Sequence, residues 1–225
     1  MASVTLENLC KRYPNGFVSV NNVSLTIAHG EFVTFYGPSG CGKSSILRMI
    51  GGKEDISSGE IYFDDILINP IAPSDRPLAM AFQNYAIYSR INVFENIALG
   101  LRLRNRPRKY IERQVNRAAN FLGIQHLLSK RIRSISEADK QQIALARALV
   151  CKPAVLLVDE DFSHDDANRR KEMIADILSI NHKLGITVLY VTNDYQEAIS
   201  VGDRVVFMDE GEITKIDPIL PHENQ

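Results

Sequence analysis

The sequence predicts an α/β fold: a mostly parallel sheet covered by helices, with antiparallel strands at its N-terminal end and a helical insertion at about residues 84–150. Three observations predict it. From Val4 to Ile27 apolar and polar side chains alternate, the pattern of half-buried strands. A short apolar strand, Phe32–Tyr36, runs directly into a glycine-rich loop and then a helical stretch. Beyond Ala154, apolar strands and amphipathic helices take turns, as crossover-connected parallel strands require.

Each element follows from local chemistry. Val4, Leu6 and Leu9 precede a break at Tyr13-Pro14-Asn15-Gly16, and Val18, Val20, Val23, Leu25 and Ile27 resume the alternation, so two strands flank a turn. Ile46–Ile50 reads as helix. Glu60–Phe63 and Ile66–Ile68 read as short strands, and Pro70, Pro73 and Pro77 punctuate a loop before a strand at Leu78–Phe82. From Val93 to about Val150 the period becomes helical: Ile111, Val115, Ala118, Ala119 and Leu122 share one face, and Ser136 caps a second long helix to Val150. Then follow the strand Ala154–Val158, a helix with Met173, Ile174, Ile177 and Leu178 on one face, the strand Thr187–Val191, a short helix near Tyr195–Ile199 and the strand Arg204–Met208.

Composition bounds the function. The 225 residues are 45% hydrophobic and 24% charged, so the chain is neither disordered nor collagen-like. At this size roughly 70% of the unfolded surface is buried on folding, enough for a core without disulfides. Net charge is −1, which gives no global pull towards nucleic acid or anionic lipid. Cys10, Cys41 and Cys151 are too far apart for a metal or disulfide framework, which suits a reducing compartment. Met1 to Arg12 lacks an apolar signal core, and no apolar run approaches the ~20 residues of a membrane span. A membrane role would therefore pass through a partner.

Two motifs carry chemistry. Gly37-Pro38-Ser39-Gly40-Cys41-Gly42-Lys43-Ser44 fits GxxxxGK[ST], between a strand and a helix as that motif needs. Its glycines let backbone N–H groups close around phosphate oxygens, and the helix N-terminus adds a partial positive charge. Lys43 is expected to reach the β- and γ-phosphates and Ser44 to ligate Mg²⁺, with Ser45 completing the loop. Cys41 reads as loop filler rather than nucleophile. The second motif is the apolar strand ending in Asp159-Glu160, which sets Asp159 beside the loop to hold Mg²⁺ through water and Glu160 to polarise an attacking water.

With Phe82-Gln83-Asn84-Tyr85-Ala86-Ile87-Tyr88, Val93-Phe94-Glu95-Asn96-Ile97 and Ala144-Leu145-Ala146-Arg147-Ala148-Leu149 in order, the chain resembles the nucleotide-binding subunit of an ATP-binding cassette (ABC) transporter, closest to the sugar-importing, maltose-type branch. The resemblance covers Val4 to Ile216. It implies a P-loop NTPase (RecA-like) core and a single nucleotide-binding domain over residues 1–225, without the C-terminal regulatory domain of longer members. It implies ATP and Mg²⁺ as cofactors. Tyr13 would stack on adenine. Gln83 would contact Mg²⁺ and the attacking water, and Asn84–Val93 would meet a permease. Asp166 would stand at a loop crossing a dimer interface. Partners would be two transmembrane permease subunits, a second nucleotide-binding subunit in a homo- or heterodimer and, indirectly, an extracytoplasmic solute-binding protein. The setting would be the cytoplasmic face of a prokaryotic cell membrane.

The sequence also departs from that family. Where LSGGQ is expected, Ile135-Ser136-Glu137-Ala138-Asp139 stands. The signature glycines let a helix N-terminus approach the partner's ATP. Glu137 and Ala138 add Cβ atoms there, and Glu137 and Asp139 add carboxylates that suit the helix dipole but oppose a polyphosphate. Asn193 replaces the family's histidine at the γ-phosphate; it keeps an N–H donor and loses the ability to become cationic. Asp161 and Asp165 are smaller departures, and His164 reads as an exposed loop residue. Weakened hydrolysis and pairing with a more regular cassette are the expectations, with a regulatory cassette of negligible turnover as the alternative. Between Arg102 and Arg117, seven basic residues face one acid, Glu112. A solvated face and proximity to an anionic membrane are both open for that stretch. Nucleic acid is a poor third, since only Tyr110 interleaves.

Overall fold

In the computed structural model, residues 2–81, 87–159 and 167–219 are described, with the backbone alone at 167–169. A four-stranded antiparallel sheet has the order β2-β1-β4-β5, formed by β1 (Val4–Arg12), β2 (Val18–Ile27), β4 (Ser58–Phe63) and β5 (Ile66–Leu67). A six-stranded sheet has the order β10-β9-β3-β8-β7-β6, formed by β3 (Phe32–Tyr36), β6 (Leu78–Ala81), β7 (Val155–Val158), β8 (Thr187–Thr192), β9 (Arg204–Asp209) and β10 (Glu212–Pro218). All its pairings are parallel except β9 with β10.

The turn at Tyr13–Gly16 closes with Tyr13 N–H donating to the Phe17 carbonyl at 2.8 Å. The central strands β3, β7 and β8 are buried on both faces, and their two-residue period assigns side chains to each. Val155, Leu157, Leu189 and Val191 enter one core with α1 (Lys43–Ile50) and the antiparallel sheet. Leu156, Val158, Val188 and Tyr190 enter another with Met173 and Ile177 of α5 (Ala167–Leu184).

The helical insertion has its own core. The helices α2 (Val93–Leu103), α3 (Arg108–Phe121) and α4 (Glu137–Leu149) bury Val93, Ile97, Ile111, Val115 and Ile143 together. Two of the three have a side-chain cap: Asn92 Oδ1 accepts from Glu95 N–H at 2.8 Å, and Ser136 Oγ accepts from Asp139 N–H at 3.1 Å, while α3 starts after Pro107 without one. Asp194 caps the short α6 (Tyr195–Ser200) through the N–H groups of Gln196 and Glu197. Phe82 lies outside the described residues, so the strand expected at Leu78–Phe82 is seen to Ala81. The terminal strand β10 was not expected. Five of its seven residues are exposed, so no apolar run announces it, and its ladder to β9 sets its place.

Candidate functional site

The site lies where the parallel strands end. Register sets Tyr36 of β3 opposite Thr192 of β8, and Val158 of β7 opposite Tyr190. The next residues, Gly37, Asn193 and Asp159, therefore leave the sheet at one carboxyl edge, the usual ligand position in open α/β sheets. A cavity of about 350 Å³ opens there, lined by Tyr13, Ser39, Gly40, Gly42, Lys43, Ser44, Ser45, Asp159 and Asn193.

The loop's shape depends on two glycines. Gly42 has φ of +105°, and a Cβ on it would sit 2.1 Å from the Ser19 carbonyl oxygen. A Cβ on Gly37 would sit 2.1 Å from the Met208 carbonyl oxygen. The backbone thus packs against β2 and β9 too closely for side chains. α1 has no side-chain cap and no acid in its first turn. Its first backbone bond runs from Ile46 N–H to the Gly42 carbonyl at 3.1 Å, so the N–H groups ahead of Ile46 open the helix without an intrahelical acceptor.

Lys43 is buried, 5% exposed, and its ammonium donates to the carbonyls of Gly37 at 2.7 Å and Pro38 at 2.8 Å, with Cys41 Sγ at 3.6 Å. None of these partners carries a full negative charge. A buried cation among carbonyls is a strong electrostatic invitation to an anion. Pro38 and Cys41 accordingly act from behind the loop rather than on the cavity wall. Ser44 Oγ donates to Asp159 Oδ1 at 2.7 Å, and Asp159 is 6% exposed. A hydroxyl and a carboxylate so placed are hard oxygen donors of the kind Mg²⁺ takes alongside nucleotide phosphates, so the residues fit that ion.

At the cavity's other end the Tyr13 ring stacks with Phe17, centroids 6.1 Å apart, and its hydroxyl donates to Glu54 Oε1 at 2.5 Å. That bond to a carboxylate raises the phenol's pKa and orients the ring. Ser45 turns from the loop to meet Ser19 Oγ at 2.7 Å. Behind Asn193, Tyr190 donates its hydroxyl to the buried Glu197, which also faces Arg170 of α5 at 3.6 Å. Sequence reasoning missed Phe17, Ser19, Arg48 and Val191 on the cavity wall. Phe17 alone carried a signal, as a second aromatic straight after the turn.

Ser136, Glu137, Ala138 and Asp139 do not line this cavity. They start α4 on the helical insertion, where Glu137 pairs with Lys140 at 2.5 Å and Ser136 Oγ donates to Asp139 Oδ2 at 2.7 Å. Gln83, Glu160 and Asp166 lie outside the described residues, as do Asp161, His164 and Asp165.

Fold and loop together define a P-loop NTPase. The family model for ABC transporters matches residues 20–163, and the chain belongs to that family. An sn-glycerol-3-phosphate import ATP-binding protein, UgpC, of Psychromonas ingrahamii is 44% identical over 216 residues, covering 96% of this chain and 58% of the relative. A maltose/maltodextrin import ATP-binding protein, MalK, of Photobacterium profundum is 43% identical with the same coverage. The chain thus spans less than two thirds of the length of these curated relatives. Among solved structures, cbiO1 from Clostridium perfringens superposes with a TM-score of 0.85 at 27% identity, covering 96% of this chain and 88% of that one. The dimeric post-hydrolysis cassette MJ0796, bound to ADP and Pi, superposes at 0.80 with 26% identity, covering 96% and 99%.

Proposed function

We propose that the chain is the ATP-binding subunit of an ABC importer for a carbohydrate or similar small solute, and that it couples MgATP binding and hydrolysis to transport through two permease subunits. The observation that carries the reading is the buried Lys43 ammonium set beside the Ser44–Asp159 pair in one cavity. The UgpC and MalK likeness supports the importer assignment. Among the described residues no helix is long and apolar enough to cross a membrane, so permeases would supply the path. The subunit would work at the cytoplasmic face of a prokaryotic membrane, with an extracytoplasmic binding protein delivering solute.

The loop geometry supports the roles of Lys43, Ser44 and Asp159, and the family resemblance supports those of Glu160, Gln83, Asp166 and the Ser136–Asp139 segment. The α1 N-terminus and Lys43 bind the triphosphate, with Lys43 shifting from loop carbonyls to phosphate oxygens. Ser44 and Asp159 would hold Mg²⁺, which when bound would neutralise charge on the phosphates. Tyr13 stacks on the base. Glu160 polarises the attacking water, Gln83 couples the site to the permease, and Asn193 donates an N–H towards the γ-phosphate. In a dimer with a second cassette, Asp166 stands at the interface and the Ser136–Asp139 segment faces the partner's nucleotide.

That last site is the weak one. A like-charge pair at ~4 Å and an effective dielectric of ~20 costs about 4 kcal/mol, and Lys140 offsets part of it at Glu137. Loss of a whole transition-state donor costs about 10²–10³ in rate, and Asn193, which keeps an N–H but lacks histidine's cationic form, loses at most that much. Turnover is therefore low in a homodimer and higher with a partner of regular signature. The test is steady-state ATP hydrolysis by the chain alone, with a second cassette, and after combined Glu137→Gly and Ala138→Gly. Stimulation by either change is expected, and none from both rejects the asymmetric-pair reading. Asn193 and the two acids also favour a second reading, a regulatory cassette that binds ATP without turning it over. Transport unchanged by Glu160→Gln would select it.

A further inference from the structure

The turn joining α2 to α3 stands apart from the rest of the surface. Residues 102–109 are exposed without interruption, and five of these eight are basic. From Arg102 to Arg117 the formal charge is +6, which leaves −7 on the remainder of a chain whose total is −1. Two cations are neutralised locally: Arg102 pairs with Glu95 at 2.5 Å and Arg108 with Glu112 at 2.8 Å. Among the described residues Arg104 donates to the Ser74 carbonyl alone, and no carboxylate pairs with Arg106 or Lys109.

An ordinary solvated charge run intersperses acids or pairs its cations. Here the unpaired cations share one exposed turn with Leu103, which is 75% exposed and the most exposed large hydrophobic side chain among the described residues. Asn105, at φ of +51°, turns the chain directly behind it. A leucine held out to solvent inside an arginine-rich turn is costly in water. It is favourable where a low-dielectric layer lies under a negative surface.

We propose that Leu103 and its flanking Arg104, Arg106 and Lys109 form a contact site for an anionic lipid surface. The leucine enters the headgroup–acyl boundary while the cations meet lipid phosphates. The position agrees with the importer reading: α2 is 11 residues long, so the turn stands about 15 Å along it from Val93, where the permease-facing segment would end. The location rests on that reading, whereas lipid binding does not. The contact would give the subunit a foothold beside its permease and bias its orientation before assembly.

The test is co-sedimentation of the full chain, without nucleotide or permease, with vesicles of phosphatidylcholine alone and of phosphatidylcholine with 30% phosphatidylglycerol. Binding only to the anionic vesicles is expected, lost on raising salt from 0.05 to 0.5 M as the Debye length shrinks. Arg104→Ala, Arg106→Ala and Lys109→Ala together should weaken it on the order of a hundredfold, at ~1 kcal/mol per cation. Leu103→Asp should weaken it at least ~10-fold through lost apolar burial. Circular dichroism and MgATP titration of both variants should match the parent, so a lost site is told apart from a lost fold. No preference for anionic vesicles, undiminished binding by the triple variant, or displacement by an equal mass of single-stranded RNA at 0.15 M salt each overturns the lipid assignment. Failure here leaves the ATPase measurements unaffected, and failure of those leaves this result standing.

Discussion

The N-termini of α1 and α4 are built by opposite means. α1 starts from Gly42 in a left-handed conformation, without a side-chain cap or a first-turn acid, beside a buried lysine. α4 starts from Ser136, whose hydroxyl takes the Asp139 N–H, and carries Glu137 and Asp139 in its first turn. The first arrangement leaves N–H groups and positive charge to a ligand. The second gives the Asp139 N–H a side-chain acceptor and sets its own carboxylates against the helix dipole. The difference separates a helix end made for phosphate from one made for stability. Each end is locally consistent, but only the first is left with N–H groups and a buried cation that an outside anion would satisfy.

The largest effect should come from breaking the α1 arrangement. Gly42→Ala puts a methyl group 2.1 Å from the Ser19 carbonyl oxygen at a φ that L-residues rarely adopt. The loop must move. Calorimetric titration should show MgATP affinity falling at least ~100-fold, the scale of two charge-assisted bonds lost. Fold stability should change far less, since the loop lies outside the strand ladders. An unchanged affinity would mean that the loop's backbone geometry is not what binds the nucleotide.

The other end of α1 sharpens the contrast. Arg76 is 5% exposed and donates to the carbonyls of Met49 at 2.8 Å, Ile50 at 2.6 Å and Ile71 at 3.0 Å. Burial depresses its pKa, and the three carbonyls keep its charge solvated. Arg76→Ala orphans those oxygens and should cost about 3 kcal/mol, or roughly 6–12 °C in Tm. MgATP affinity should shift only slightly. Thermal melts with and without nucleotide separate the two effects.

These residues also show what could be read in advance. The strand, loop and first helix were legible from Phe32 to Ile50, because glycine spacing and apolar runs are local signals. Asp159 was legible for the same reason. Arg76 was not: between Pro73 and Pro77 it looks like any loop arginine, and only the folded chain brings it under α1. Helix α1 begins at Lys43, ahead of the apolar stretch from Ile46, because its polar first turn carries no hydrophobic period. Ser19 and Val191 reached the cavity through pairing between distant segments. The pairing of Glu137 with Lys140 is an i,i+3 contact open to sequence reading, yet its strength depends on a rotamer that sequence does not give.

At α4 the stabilising design can be removed piecemeal. Ser136→Ala deletes the cap and should cost about 1 kcal/mol, or roughly 2–4 °C in Tm. Binding at the Gly42–Ser44 loop of the same chain should not change, since Ser136 does not line that cavity. A loss of nucleotide affinity in the isolated monomer would tie the two helix ends together and undo the comparison.

The smallest effect lies on the opposite flank of α4. Gln142 donates to the half-buried Asp176 of α5, while Gln142 Oε1 is buried with no partner among the described residues. Burial is the main cause that raises the Asp176 pKa above the ordinary 3.8; the Gln142 bond opposes it and the nearby Glu172 adds to it. For a carboxyl whose native pKa is raised, the native state binds its proton more tightly than the unfolded chain. Stability is then fully present below about pH 4 and declines as pH rises through the native value. Asp176→Asn removes that decline and supplies a side-chain N–H for Gln142 Oε1. Because Asp176 is partly open to water, solvent screening keeps the gain below about 1 kcal/mol. Melting curves of parent and variant should therefore converge below about pH 4 and separate as pH rises through the raised native value, with the variant higher by roughly 1–3 °C. A constant offset at every pH would assign the change to packing between α4 and α5 rather than to ionisation.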